Sequence, residues 1–334
     1  MSYNTFGASD WQITPVGKTA LEQALARHLS RSISVENIVF AEPDPLSTAT
    51  DNGFAPRRGT VTTRAGRGEE DRVDLFFKIP HEREVEALVL GRRLGLKHQP
   101  RILVSSLDVQ AAGVESKALC YLFVPGKPLG NDADGNPLIA DSLPEGIVSD
   151  MAILHASTAG HAEAYLRRGY TFVSREGLTE ESSVSDPAAY LGLPGIGKNA
   201  GDLLSRAAAV SVEAVDLAAG DGPVVVHGEL EPRNVVVSAD GTGTLVDWGE
   251  MGLGWAALDL APCLGYEQLP LYKMTAGDRN PSWNPPDERA LAAARLVHAL
   301  VHLKRLVRDS GGTPPTAGMV EALFGRLDEA LSRL

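Results

Sequence analysis

The chain has 334 residues, 43% of them hydrophobic, which is ample for a buried core and suits two lobes better than one small domain. Its 31 basic residues stand against 43 acidic ones, a formal net charge of −12, which argues against a duplex-binding surface and against docking on an anionic membrane. The two cysteines, Cys120 and Cys263, lie in apolar sequence without a CxxC partner, so zinc and redox motifs are absent and two buried, reduced thiols are expected. The first 20 residues lack the basic start and apolar run of a signal peptide. No stretch approaches the roughly 20 apolar residues that span a bilayer, and a cytoplasmic location is expected.

Leu21, Ala24, Leu25 and Leu29 recur at helical spacing and predict an amphipathic helix over 18–31. A short strand is expected at Ile38–Phe40, then a polar loop from Pro43 to Arg58. Gly59–Arg64 and Val73–Ile79 read as two strands of a hairpin joined by the charged turn Gly66–Asp71. His81–Leu94 reads as a helix, and Ile102–Val104 and Leu119–Val124 as strands. Pro125-Gly126 breaks the pattern, and Gly130–Pro137 is a polar loop. Helices are expected around Ile147–His155, over 201–219, over Asp287–Val307 with Asp287 as N-cap, and around Val320–Leu331. Within this helical half, Val224–Val226 and Val235–Val237 read as a strand pair, followed by Thr244–Val246. The fold class is therefore α+β.

The chemistry concentrates between Val224 and Gly265. Glu229 lies five residues before Asn234, and Asp247 thirteen residues after it, directly behind an apolar strand. Phosphoryl transfer uses this inventory: one carboxylate orients a hydroxyl and accepts its proton, while an amide oxygen and a second carboxylate hold Mg²⁺ against the phosphates. A hairpin between Val235 and Val246 would bring Asn234 and Asp247 to the same end of two paired strands. Read alone, Asn234 could instead bond its own loop, and Asp247 could be a turn residue.

His227-Gly-Glu-Leu-Glu-Pro-Arg-Asn234 resembles the HGDxxxxN catalytic loop of the aminoglycoside phosphotransferase and choline kinase superfamily. Val246-Asp-Trp-Gly resembles its IDWG metal segment, and Leu258-Asp-Leu-Ala its YDLA helix start. Phe77-Lys78 followed by Arg83-Glu84 resembles the lysine and glutamate pair that positions ATP phosphates, with Glu82 and Glu86 competing for the glutamate's part. Tyr121-Leu-Phe-Val-Pro-Gly126 resembles the hinge, and Ile153-Leu-His155 the helix that supports the catalytic loop. The sequence departs from the pattern twice: Glu229 replaces the usual catalytic Asp, and Trp255 stands where Asp is frequent.

The resemblance implies a protein-kinase-like bilobal fold. It has an antiparallel-sheet N-lobe over residues 1–122 and a mainly helical C-lobe over 123–334. It implies a Mg²⁺-dependent kinase moving the γ-phosphate of ATP or GTP to a hydroxyl of a small molecule, an antibiotic or a metabolite. Glu229 would be the catalytic carboxylate. Lys78, Glu84, Leu122 and Val124 would bind the nucleotide, and Asn234 and Asp247 the metal. No nucleic-acid or membrane partner is implied. Two other readings share these residues: a catalytically impaired, kinase-shaped binding protein, suggested by Glu229, and a kinase acting on Ser or Thr of a peptide. Three further residues have plainer readings. His227 reads as a buried histidine bracing the loop, Asp259 as an N-cap that supports it, and His298 and His302 as ordinary helix residues lacking a third metal ligand.

Overall fold

The computed structural model describes residues 11–41, 56–65, 69–80, 83–111, 114–130, 139–184, 187–220, 222–308 and 316–334. Most of the expected loops at 43–58 and 130–137, part of the turn at 66–71, and His81 with Glu82 lie outside the described residues. The chain divides into two compact units. One comprises Met1–Leu90 and Gln99–Val124, the other Gly91–His98 and Pro125–Leu334.

The first unit contains β1 (Trp11–Ile13), α1 (Pro15–Leu29), β2 (Ile33–Phe40), β3 (Arg57–Ala65), β4 (Glu70–Lys78), β5 (Ile102–Ala111), β6 (Val114–Leu122) and α2 (Glu84–Leu94) up to Leu90, the last four residues of this helix belonging to the second unit. Its strands form one antiparallel sheet in the order β1-β5-β6-β4-β3-β2. α1 starts three residues before its expected position. The Thr14 side chain accepts from the Gly17 amide and Pro15 occupies the first turn, where its missing N–H costs nothing. Leu21 and Leu25 of α1 join Val61, Leu75, Phe77, Leu107 and Cys120 in the core. β2 and β5 exceed the short strands expected. Polar Ser34, Glu36 and Asn37 mask the first, and irregular pairing between Ile102 and Leu107 masks the second. Leu75 and Phe77 point inward from β4, so Lys78 emerges on the opposite face with Phe76, which stacks on Tyr121 at 5.2 Å between centroids.

The second unit contains β7 (Lys127–Pro128), α3 (Glu145–Thr158), α4 (Ala162–Leu166), α5 (Arg175–Ser182), α6 (Ala200–Ala219), β8 (Val224–Val226), β9 (Val235–Val237), β10 (Gly243–Leu245), β11 (Gly252–Gly254), α7 (Ala256–Leu260), α8 (Leu269–Arg279), α9 (Glu288–Arg308) and α10 (Ala317–Arg333). α6, α9 and α10 pack their apolar faces into one core that includes Leu204, Leu296, Leu300, Leu303, Leu323 and Leu327. Asp287 caps α9 as expected, its Oδ1 accepting from the Ala290 amide at 2.8 Å. The expected pairing of Val224–Val226 with Val235–Val237 is corrected. β9 pairs with β10 and β7, whereas β8 pairs with β11. Gly252-Leu-Gly254 has little strand propensity, but a side chain at Gly254 would stand 3.0 Å from Val226 Cγ2, so close approach replaces propensity here. Cys120 and Cys263 are free and buried, and burial pushes both thiols up. No described helix is long and apolar enough to cross a membrane.

Candidate active site

In the first unit, Lys78 ends β4 and Glu84 opens α2. The lysine Nζ lies 3.1 Å from Glu84 Oε2, and the carboxylate side chain is 1% exposed. A buried ion pair fixes both side chains, because removing either partner strands a charge. Leu122 closes β6, its amide donating to the Arg101 carbonyl at 3.1 Å, and Val124 follows as the last residue of the unit.

In the second unit the chain leaves β8 through His227 and Gly228. Gly228 has φ +89°, and a Cβ there would meet the Glu250 carbonyl oxygen at 2.3 Å, so only glycine fits. Asp259 holds this bend from beneath. Its Oδ2 accepts from the His227 amide at 2.9 Å and its Oδ1 from the Gly228 amide at 3.0 Å. His155 of α3 reaches the same Oδ2 at 3.1 Å, and its other ring nitrogen meets the Tyr272 hydroxyl of α8 at 2.7 Å. Asp259 lies inside α7, whose N-cap is Trp255, so the capping role expected for it is corrected while the supporting role stands. Burial works to raise the Asp259 carboxyl, but the bonds from His155 and the His227 amide outweigh it and hold the group below the usual range.

His227 Nε2 donates to the Val246 carbonyl at 3.1 Å, and its Nδ1 accepts from the Glu229 amide at 3.3 Å. That pattern fits the neutral imidazole with its proton on Nε2, and burial lowers its pKa. The ring packs edge-on to Trp248 at 4.6 Å. His227 is thus a brace, with both nitrogens occupied.

Asn234 Nδ2 donates to the Glu229 carbonyl at 2.9 Å, which leaves Oδ1 as the amide's acceptor. The Val246 amide donates to the Asn234 carbonyl at 2.8 Å, so the β9–β10 hairpin sets Asn234 beside the strand end that carries Asp247. Asp247 adopts φ 61°, ψ 64°, a left-handed conformation rare outside glycine and characteristic of functional positions. An amide oxygen and a carboxylate are hard donors that suit Mg²⁺, which takes one or two protein groups and completes its shell with water and phosphate. Among the described residues no three His, Cys, Asp or Glu side chains converge as a metal cage.

The profile of the phosphotransferase enzyme family matches residues 123–299, more than half of the chain. The chain belongs to that family. Among solved structures, the GDP complex of aminoglycoside 2′-phosphotransferase-IIIa is similar with a TM-score of 0.52 at 14% identity, over 94% of this chain and 98% of that one. A macrolide 2′-phosphotransferase from Brachybacterium faecium (TM-score 0.48, 18% identity, 94% and 98% covered) and a choline kinase from Streptococcus pneumoniae (0.47, 12%, 94% and 99%) are similar as well. At 14% identity the likeness to the aminoglycoside phosphotransferase is one of fold, and that fold is the α+β, protein-kinase-like one. No curated protein sequence matches the chain.

Glu229 of this phosphotransferase is about one-third exposed, and burial raises its carboxyl above the ordinary range. Arg233 opposes the rise from 3.6 Å, while the like charges of Asp247 and Glu250 add to it. A raised carboxyl is a better proton acceptor near neutral pH. Arg233, which no sequence signal marks, also binds Glu231 with its Nε at 2.7 Å. Glu231 is buried and lines the same cavity as Glu229. Tyr272 is equally unmarked in sequence, since α8 carries a mixed pattern of polar and apolar residues. The His298 and His302 rings of α9 meet with centroids 4.3 Å apart and their planes tilted by 50°.

Proposed function

We propose that this phosphotransferase moves the γ-phosphoryl group of ATP or GTP to a hydroxyl of a small molecule, an antibiotic or a metabolite. The observation that carries the proposal is the Glu229–Asn234–Asp247 set: the Asn234 side chain donates to the Glu229 carbonyl, the Asn234 carbonyl accepts from the Val246 amide next to Asp247, and Asp259 holds the bend before Glu229. Asn234 Oδ1 and the Asp247 carboxylate would hold Mg²⁺. The bound ion would neutralise charge on the phosphate oxygens. Lys78, fixed by Glu84, would place its ammonium on the phosphates, and the Leu122–Val124 segment would meet the base. Glu229 orients the acceptor hydroxyl and takes its proton. The acceptor oxygen forms a bond to the γ-phosphorus as the bond to the bridging oxygen breaks, and ADP or GDP departs with that electron pair.

Glu229→Gln keeps size and hydrogen bonding but removes the proton acceptor. Turnover should fall about 100-fold or more with nucleotide affinity nearly unchanged. Glu229→Asp should also slow the reaction, because the carboxylate retreats from the hydroxyl and about 1 Å of misplacement costs about 100-fold. An Asp variant that outpaces the wild type across a broad acceptor panel would show that glutamate is a defect here and not the working base.

A further inference from the structure

The loop that carries Glu229 holds three charged side chains within five residues, Glu229, Glu231 and Arg233. The Glu231 amide donates to the Glu229 carbonyl at 2.8 Å, a tight three-residue turn around Leu230. Leu230 is buried, and the Cys263 thiol donates to its carbonyl at 3.3 Å. Both glutamates line one cavity of the second unit. A single helical turn, Pro232–Asn234, then brings Arg233 back beside them.

The two contacts of Arg233 differ in kind. Its Nε lies 2.7 Å from Glu231 Oε2, a charge-assisted contact to a carboxylate side chain that is 9% exposed. Its Nη2 lies 3.6 Å from Glu229 Oε2, and both of those side chains are more open to water. Glu231 is thus a buried charge matched chiefly by Arg233, with Arg305 adding a second favourable charge. Around Glu229, Asp247 and Glu250 are like charges, while Arg233 and a side-chain bond from Asn234 favour the ionised carboxylate. Asp259, a further carboxylate in the cavity wall, is taken by the His227 and Gly228 amides. A glutamate also has one more torsion to fix than an aspartate.

We propose that Glu231 and Arg233 are positioning residues: buried Glu231 fixes the Arg233 guanidinium, and the guanidinium holds the Glu229 carboxylate where the acceptor hydroxyl arrives. The assignment rests on the phosphotransferase role of Glu229 and adds how a side chain one methylene longer than the usual aspartate is kept in place. The task suits arginine. Once Nε is fixed, the planar guanidinium sets the direction of Nη2, whereas a lysine ammonium is one point on a flexible stem and cannot serve two carboxylates in set directions. A half-exposed pair such as Arg233 with Glu229 contributes little to stability, so its loss should be felt in rate and not in folding.

Two measurements on the full-length protein test the tether. The first is phosphate release from Mg·ATP with water as the acceptor. Arg233→Lys and Glu231→Gln should each lower kcat about 10-fold, part of the roughly 100-fold that about 1 Å of displacement costs, with KM for Mg·ATP unchanged within about 2-fold. The double variant should fall no further than the slower single one, because both changes act through one guanidinium. Wild-type kcat in either variant, losses that multiply in the double variant, or a loss confined to KM would overturn the assignment. The second measurement is a pair of crystal structures, of the wild type and of Glu231→Gln. Glu229 should lie within about 4 Å of the Arg233 guanidinium in the wild type, and that contact should be lost in the variant. A Glu229 carboxylate that keeps its place in Glu231→Gln would overturn the assignment as well. Where the wild type binds Mg·ATP but releases no phosphate, the phosphotransferase reading of Glu229 loses its support, and the two crystal structures still decide whether the tether exists.

Discussion

Asp259→Asn isolates the support beneath the catalytic loop. The two side chains have nearly the same shape, but the amide offers one oxygen where the carboxylate offers two. In the wild type, Oδ2 serves the His227 amide and His155, and Oδ1 serves the Gly228 amide. Whichever way the asparagine turns, its NH₂ faces at least one backbone N–H, so at least one buried donor loses its partner. A buried donor left unbonded costs about 1–3 kcal/mol, and that is the expected loss in a urea denaturation experiment. The larger effect should be on turnover, because Gly228 precedes Glu229 directly and the released amide lets the carboxylate drift. A displacement of about 1 Å corresponds to about a 100-fold fall in rate. ADP release with Mg·ATP and an acceptor measures it. A variant within about 0.5 kcal/mol of wild-type stability that turns over at the wild-type rate would refute the clamp.

Acid should destabilise the protein through its buried histidines. His302 falls from 6.5 to about 4 on folding, a depressed value, so its stabilising contribution is complete above pH 6.5 and is lost as pH falls through 4. The difference of about 2.5 units corresponds to about 3 kcal/mol, and His302→Gln should flatten the denaturation midpoint between pH 7 and pH 4 by an amount of that order. An unchanged pH dependence in the variant would show that His302 is not held neutral by burial. Lys78→Ala should weaken Mg·ATP binding about 10- to 100-fold, the value of a charge-assisted bond to phosphate. Equal affinity in titration would remove Lys78 from the nucleotide site.

The order of chemistry in the sequence was readable because each motif residue has a local job. Gly228 is required by a left-handed bend, His227 by a two-sided brace, and Asp247 by its place at the end of a strand. The ion pair of Lys78 with Glu84 was legible only in part, since Glu82 and Glu86 competed with Glu84 for the same place and spacing alone did not choose among them. What depends on distant parts of the chain was not. Tyr272 meets His155 across 117 positions, and nothing in the pattern of α8 announces it. β11 was hidden because Gly252 and Gly254 pair with β8 by close approach and not by propensity. Arg233 sits inside the loop motif, but its choice of Glu231 over Glu229 is set by side-chain geometry that spacing does not specify.

The most direct test of the central claim is calorimetric titration of ATP, with and without Mg²⁺, into the wild type and Asp247→Ala. In the proposed mechanism Mg²⁺ would link Asn234 and Asp247 to the phosphates. Binding to the wild type should therefore tighten at least about 10-fold when Mg²⁺ is added, and the tightening should vanish in the variant. Absence of nucleotide binding to the wild type in Mg²⁺, or an undiminished Mg²⁺ effect in Asp247→Ala, would contradict it.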